Sequence, residues 1–201
     1  MLGAQNPWLT MWVQPRATIR TLLKKNPHYG VFSLSTIYIL QDFCNSFNYW
    51  SIGMYSSPYF LFVSALALSP FLGLLWLYVS AWILDVTGMW FGGKAPPLPL
   101  RTALAWSKLP TTIALLMWFI LLLAKPDYVF ILDALDTTVF IYFITLVLWI
   151  WSIVLLIKGV REVQSFSLGR AIANTVVALC IYSVLFFAFF AVVRYFYILV
   201  A

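Results

Sequence analysis

Five long apolar stretches separated by short loops run along this chain, at roughly Gly30–Trp50, Pro58–Phe91, Leu109–Ala124, Leu135–Ile157 and Ala171–Val193, and the basic residues collect in every second gap. A helix of about 20 apolar residues crosses roughly 30 Å of hydrocarbon, so most of these stretches are long enough to span a bilayer. Only 9% of the residues are charged and 64% are apolar, whereas a soluble domain needs about 25% charged residues to face water. Lipid is therefore the expected solvent. In lipid every backbone amide needs an internal partner, and these uninterrupted runs lack the alternation of barrel strands of about ten residues. The expected fold is an all-α polytopic membrane protein, one domain over 1–201, with five transmembrane helices and an amphipathic interfacial helix within residues 1–29.

Ten of the twelve basic residues fall on one side of this arrangement: Arg16, Arg20, Lys24 and Lys25 before the first span, Lys94, Arg101 and Lys108 in the second gap, and Lys158, Arg161 and Arg170 in the fourth. The third gap holds Lys125 against Asp127, Asp133 and Asp136, and Arg194 lies near the C-terminal end. The positive-inside rule then predicts a cytoplasmic N terminus and a C terminus outside, or in a lumen. Tyr49, Trp50, Tyr55 and Tyr59 at one boundary and Trp90 and Trp106 at the other suit aromatic belts. The first apolar stretch begins only after Tyr29, too late for a cleaved signal peptide, so span one is expected to remain as a helix.

Asn6-Pro7 is a helix start, and Pro15 divides the segment into two pieces, the second ending at Asn26-Pro27. Trp8, Met11, Trp12, Ile19, Leu22 and Leu23 share one arc, with Arg16, Arg20 and Lys24 in an adjacent stripe, the profile of a helix in the headgroup layer. Trp8, Trp12, Arg16, Arg20 and Lys24 are the expected interfacial anchors. The second stretch is too long for one upright span, and Ser69-Pro70 predicts a kink, so that Pro58–Leu68 tilts or leaves the bilayer. Leu98–Trp106 reads as a short helix on the inner face, from which Arg101 and Lys108 reach headgroup phosphates. Pro110, Arg161 and Arg170 complete the inner-face gaps. Asp133–Thr137 is expected to open span four, and Ser167 to cap span five. Cys44 and Cys180 are expected to be core residues.

Gly92-Gly93 closing span two, Ala105-Trp106-Ser107-Lys108-Leu109-Pro110 leading into span three, Gly159 through Ser167 after Trp151, and Arg170-Ala171 together form a pattern. With the basic N-terminal segment, it resembles the Yip domain (Ypt-interacting protein) family in its bacterial form, over nearly the whole chain. The resemblance implies a five-span integral membrane protein of a bacterial inner membrane, with a cytoplasmic N terminus and no accepted enzymatic activity. Eukaryotic relatives act at Golgi and endoplasmic reticulum membranes with Rab-type GTPases. The acidic Tyr-Gly-Pro type motif of those relatives is missing from this sequence, so GTPase binding is not carried over.

Ionisable groups inside a bilayer cost about 2.5 to 3.5 kcal/mol at a helix centre and point to function by default. Asp42 in span one, beside a stripe of Gln41, Asn45 and Asn48 at i, i+4, i+7, and Asp85 in span two meet that description. They form a candidate polar site for a proton, a cation or a lipid headgroup. The competing expectation is structural: Asp42 hydrogen-bonded as packing glue, with no Lys, Arg or His at its depth to pair with, and Asp85 paired with Lys108 or Arg101. No metalloprotease, nucleophile-elbow or phosphate-loop motif is present, and the sole histidine, His28, lies in the N-terminal segment. No enzyme, cofactor or metal is expected, and the basic face suits anionic lipid rather than nucleic acid. The leading expectation is a non-catalytic membrane organiser or accessory subunit, with lipids of the inner leaflet, other membrane subunits or a second copy as partners. The alternative is a small transporter or lipid-handling protein built around Asp42.

Overall fold

In the computed structural model, residues 6–132 and 136–200 are described, with side chains for 6–132, 139–185, 187 and 188. Every regular element among them is helical: α1 (Pro7–Val13), α2 (Pro15–Lys25), α3 (Val31–Tyr49), α4 (Pro58–Trp90), α5 (Pro97–Ser107), α6 (Thr112–Ala124), α7 (Pro126–Val129), α8 (Asp136–Val163) and α9 (Leu168–Val200). Four segments are long and apolar enough to cross a membrane: Pro58–Trp90, Pro97–Ala124, Val139–Val163 and Leu168–Leu185. α3 has 19 residues but is not among them, because Gln41, Asp42, Asn45 and Asn48 dilute its apolar character.

Prolines and caps set most boundaries. Asn6 accepts a hydrogen bond from Trp8 N at 3.0 Å and Pro7 takes the first helical position. Pro15, Pro58, Pro97 and Pro126 likewise open α2, α4, α5 and α7, where their missing amides would have been unpaired anyway. Pro70 lies inside α4, which runs from Pro58 to Trp90 as one helical element through the position expected to kink. Asp133 lies outside the described residues, as does the start of the expected fourth span at Leu135. Ser167 Oγ sits 3.5 Å from Arg170 N, a long cap contact at the start of α9.

The larger departure from expectation is α5. All ten residues from Thr102 to Thr111 are buried, through the end of α5 and a short 3₁₀ turn (Leu109–Thr111) into α6. A helix apolar on every side belongs in a core, and α5 contacts α2, α3, α4 and α8. It is not a surface helix on an inner face, and Lys108 and Pro110 do not face a headgroup layer. The apolar core has two parts. One gathers Met11, Ile19, Leu34, Leu77, Leu100, Trp106, Leu155 and Val160 around α5. The other, toward the far end of the bundle, gathers Cys44, Leu61, Trp118, Leu122, Val129, Phe130 and Ile141. Cys44 is thus a core residue, while Cys180 is exposed on α9.

α3 packs most extensively on α4, and the approach is close at Gly73. A Cβ there would lie 2.9 Å from the backbone carbonyl carbon and oxygen of Ser35, which cannot swing aside as a side chain would. Small residues permit such backbone contact where lipid supplies no hydrophobic drive between helices. Gly73→Ala is expected to destabilise the bundle by about 1–3 kcal/mol through overpacking. A thermal melt in detergent checks this, and an unchanged midpoint would mean that α3 and α4 can separate without loss.

Candidate functional site

The polar stripe of α3 divides in two. Asn48 Nδ2 donates to the carbonyls of Val129 (2.9 Å) and Ile131 (3.2 Å), and its Oδ1 accepts from Tyr142 Oη at 3.0 Å. Asn45 Oδ1 accepts from Trp118 Nε1 at 2.8 Å. These two residues fasten the α7 region and α8 to α3, which is the structural role open to polar groups in a bundle. Gln41 and Asp42, one turn earlier, take no part in that network.

Instead they line a cavity of about 350 Å³ with Tyr38, Asn45, Thr111, Tyr142, Thr145, Leu146 and Trp149, between α3, the 3₁₀ turn and α8. The side chain of Asp42 retains open surface there. A second cavity of about 200 Å³ lies among α3, α4, α5, α8 and α9, and Tyr38 and Trp149 line it too. Its charged group is Lys108, 8% exposed. The ammonium stands 4.4 Å from the centre of the Tyr38 ring and 5.6 Å from that of Trp76, a cation–π cradle that offsets part of the cost of burial.

Lys108 and Asp42 act on one another electrostatically, yet the ion pairs among the described residues are both made by Glu162. The two charges therefore face each other beyond 4.0 Å. This corrects two expectations. A cation does stand near Asp42, because α5 is buried and carries Lys108 inward. Asp85 makes no ion pair with Lys108 or Arg101 among the described residues, and the Arg101 guanidinium lies over the Tyr78 ring at 4.4 Å. Four buried polar atoms on the cavity walls have no hydrogen-bond partner among the described residues: Gln41 Nε2 and Thr145 Oγ1 in the first, Ser80 Oγ and Thr175 Oγ1 in the second. Buried polar groups are normally paired, so these walls are unsaturated. Of this site, Tyr38, Thr145, Trp149 and Thr175 carried no signal beyond being polar or aromatic residues in apolar runs. No group of His, Cys, Asp and Glu among the described residues could hold a metal ion.

The Yip1 domain family model matches residues 9–192. The chain belongs to the Yip1 domain family. No curated protein and no solved structure matches it. Several residues of the motifs that carry the resemblance to Yip1 proteins pack against one another. Gln164 Oε1 accepts from Ala95 N at 3.0 Å, and its side chain fills the space over Gly88 and Gly93, where a Cβ would collide with it. Ser165 takes a left-handed conformation at φ 55°, turning Phe166 back toward Gly93. Gly159 sits against Ala103 of α5, with 3.1 Å between its would-be Cβ and that of Ala103. Nearby, Thr87 Oγ1 donates to Asn174 Oδ1 at 2.5 Å, and Asn174 Nδ2 donates to Leu84 O at 3.3 Å, joining α4 to α9.

The same end of this Yip1 domain receives the N-terminal helices. Met11, Ile19 and Leu22 are buried in protein, and Trp8 packs on Trp106 with ring centres 5.1 Å apart. Arg16 Nε and Arg20 Nε donate to the two carboxylate oxygens of Glu162 at 3.0 and 2.7 Å. The hydrogen bond to Glu162, and then its charge, holds the Arg20 guanidinium above its ordinary value. Trp12 is half-buried, Lys24 and Arg170 are exposed, and Arg161 Nε is buried without a partner among the described residues. Of the basic anchors, Arg16 and Arg20 thus bind protein, while Lys24 stays open. Glu162 was not singled out in the sequence, where it is one acid beside Arg161. Glu162→Gln is expected to loosen α2 modestly, since both arginines are largely exposed to screening. Faster trypsin cleavage at Arg16 and Arg20 in the intact detergent-solubilised protein would show it, and unchanged cleavage would mean that the apolar face of α2 alone holds the segment.

Proposed function

We propose that this Yip1 domain protein is a non-catalytic, lipid-handling integral membrane protein that takes an amphiphile into the cleft beside Asp42. The observation that carries the reading is the pair of cavities that share Tyr38 and Trp149 as lining, with open Asp42 in one and buried Lys108 in the other. Ligand sites are concave, mostly apolar and fitted with a few convergent polar groups, at about 300–1,000 Å³, and the first cavity alone falls in that range. Its walls combine Leu146 and Trp149, suited to an acyl chain, with Gln41, Asp42, Thr145 and Tyr142, suited to a headgroup. The lining sets a few hydrogen-bonding and charged groups among apolar walls, and no group of His, Cys, Asp and Glu among the described residues could hold a metal ion, which favours binding and movement of a molecule.

The reading of an organiser or accessory subunit drew on a basic wedge lying in the headgroup layer. Here the apolar side of that wedge is covered by α5 and α8, and two of its arginines are held by Glu162. Lipid handling is therefore the reading we prefer. We infer a cytoplasmic N terminus from the distribution of basic residues, and a bacterial inner membrane from the resemblance to the bacterial form of the family.

Leu146 lines the first cavity and is 52% exposed, so a larger side chain there meets little resistance from the core. Leu146→Trp is expected to block the cleft and cut the lipid retained through a delipidating purification by about tenfold, the equivalent of about 1.4 kcal/mol of binding. Mass spectrometry of the extracted lipid gives the stoichiometry. Equal lipid in wild type and variant, with equal thermal stability, would sink the proposal.

A further inference from the structure

The two cavities differ in the charge they offer, and the difference identifies a class of ligand. A site built around Lys108 alone would suit an anion, and one built around Asp42 alone would suit a cation. Here a carboxylate and an ammonium occupy neighbouring recesses that share Tyr38 and Trp149 as a common wall. They lie too far apart to form an ion pair with each other. Lys108 is 8% exposed and its ammonium is turned onto the rings of Tyr38 and Trp76. Rings satisfy the charge only in part, and the ammonium has three hydrogens to donate.

The orphaned polar atoms follow the same division. Ser80 Oγ and Thr175 Oγ1 join Lys108 around the second cavity, and both are hydroxyls able to donate to an anionic oxygen. Thr145 Oγ1 joins Asp42 around the first, and a hydroxyl and a carboxylate together accept the hydrogens of an ammonium. Gln41 Nε2 remains to donate to an ester or bridging oxygen between the two groups. Thr175 is fully buried and Gln41 only 2% exposed, so neither can be satisfied by bulk water.

We propose that the paired cavities select a zwitterionic headgroup, with its ammonium at Asp42 and its phosphate at Lys108. This rests on the reading that the cleft holds an amphiphile, and it names the class: a phospholipid whose headgroup carries a primary amine. A choline headgroup has the charge without the N–H donors, and a glycerol headgroup has the phosphate without the cation. The hydrogens of the amine distinguish the first and its charge the second. A ligand without the phosphate leaves Lys108 buried and unpaired, and one without the ammonium places its anion near the Asp42 carboxylate with no cation to balance it.

The test is native mass spectrometry of the full chain in mild detergent, with equimolar phosphatidylethanolamine, phosphatidylcholine and phosphatidylglycerol of identical chains added together. Wild type is expected to retain phosphatidylethanolamine about tenfold over either competitor. Asp42→Asn, nearly isosteric, should lower phosphatidylethanolamine retention to the level of phosphatidylglycerol, whose own retention does not fall. Lys108→Met should lower retention of all three. Phosphatidylglycerol binding best to wild type, or a preference for phosphatidylethanolamine that survives Asp42→Asn, would overturn the zwitterion proposal while leaving the lipid-handling reading standing. Lipid that is bound equally by wild type and Leu146→Trp overturns the reading itself, whatever the headgroup. Glycerophosphoethanolamine, which has the headgroup without chains, is the last arm. Displacement of phosphatidylethanolamine by it at equal concentration would overturn the lipid as the source and assign the same charges to a water-soluble zwitterion. Equal melting temperatures for wild type and Asp42→Asn exclude misfolding as the cause of a lost preference.

Discussion

The burial of Thr102–Thr111 is the constraint from which much of this Yip1 domain follows. A helix enclosed on all sides needs small residues where neighbours press closest, and Ala103 and Ala105 are fully buried here, with Gly159 of α8 meeting Ala103. It also needs its few polar side chains paired. Thr102 Oγ1 donates to Pro27 O at 2.7 Å and Trp106 Nε1 to Tyr29 O at 2.9 Å, so α5 grips the turn between α2 and α3. Gly30 takes φ 70° at that turn and lies under the Trp106 ring, where a Cβ would come within 3.0 Å. The placement of α2, the start of α3 and the approach of α8 are thus fixed by one buried helix.

The same burial determines where Lys108 goes. It follows Ser107 at the end of α5, in the αR region, before the chain tightens into the 3₁₀ turn and continues as α6. Had α5 lain on the surface, the lysine would have snorkelled to headgroups at little cost. Enclosed by α3, α4 and α8, its ammonium rests on the rings of Tyr38 and Trp76. The charge near Asp42 is therefore a consequence of how α5 packs, and the polar cleft and the core helix are parts of one arrangement.

Helix boundaries in this chain were readable because prolines and an asparagine cap write them locally, at Asn6-Pro7, Pro15, Pro58 and Pro97. The polar stripe of α3 was readable because the spacing of Gln41, Asn45 and Asn48 repeats with the helix. Which helices face protein was not. In a soluble protein the apolar face marks the core, but in lipid both sides of a helix are apolar and periodicity loses its meaning. Leu98–Trp106, carrying Arg101 and followed by Lys108, looked like a surface helix for that reason. Distant partners such as Asp42 with Lys108, or Glu162 with Arg16 and Arg20, depend on packing that no local pattern encodes.

The division of the α3 stripe separates structure from function within a single helix. Asn45 and Asn48 spend their amides on Trp118, Tyr142 and the carbonyls of Val129 and Ile131, and so hold one end of the bundle together. That anchoring fixes the far end of α3 against α6 and α8, while Trp106 and Gly30 fix its start. Gln41 and Asp42 sit between two secured ends, beside a cavity, with Tyr38 bearing on Lys108. A pair meant only to stabilise the bundle would gain most by closing to contact, because attraction between unit charges grows as the distance falls and is strongest where water is excluded. The aromatic cradle instead holds the ammonium 4.4 Å from the centre of the Tyr38 ring and beyond ion-pair distance of Asp42. A bundle rigid at both ends can maintain that separation, and a gap between fixed opposite charges is what a dipolar ligand requires.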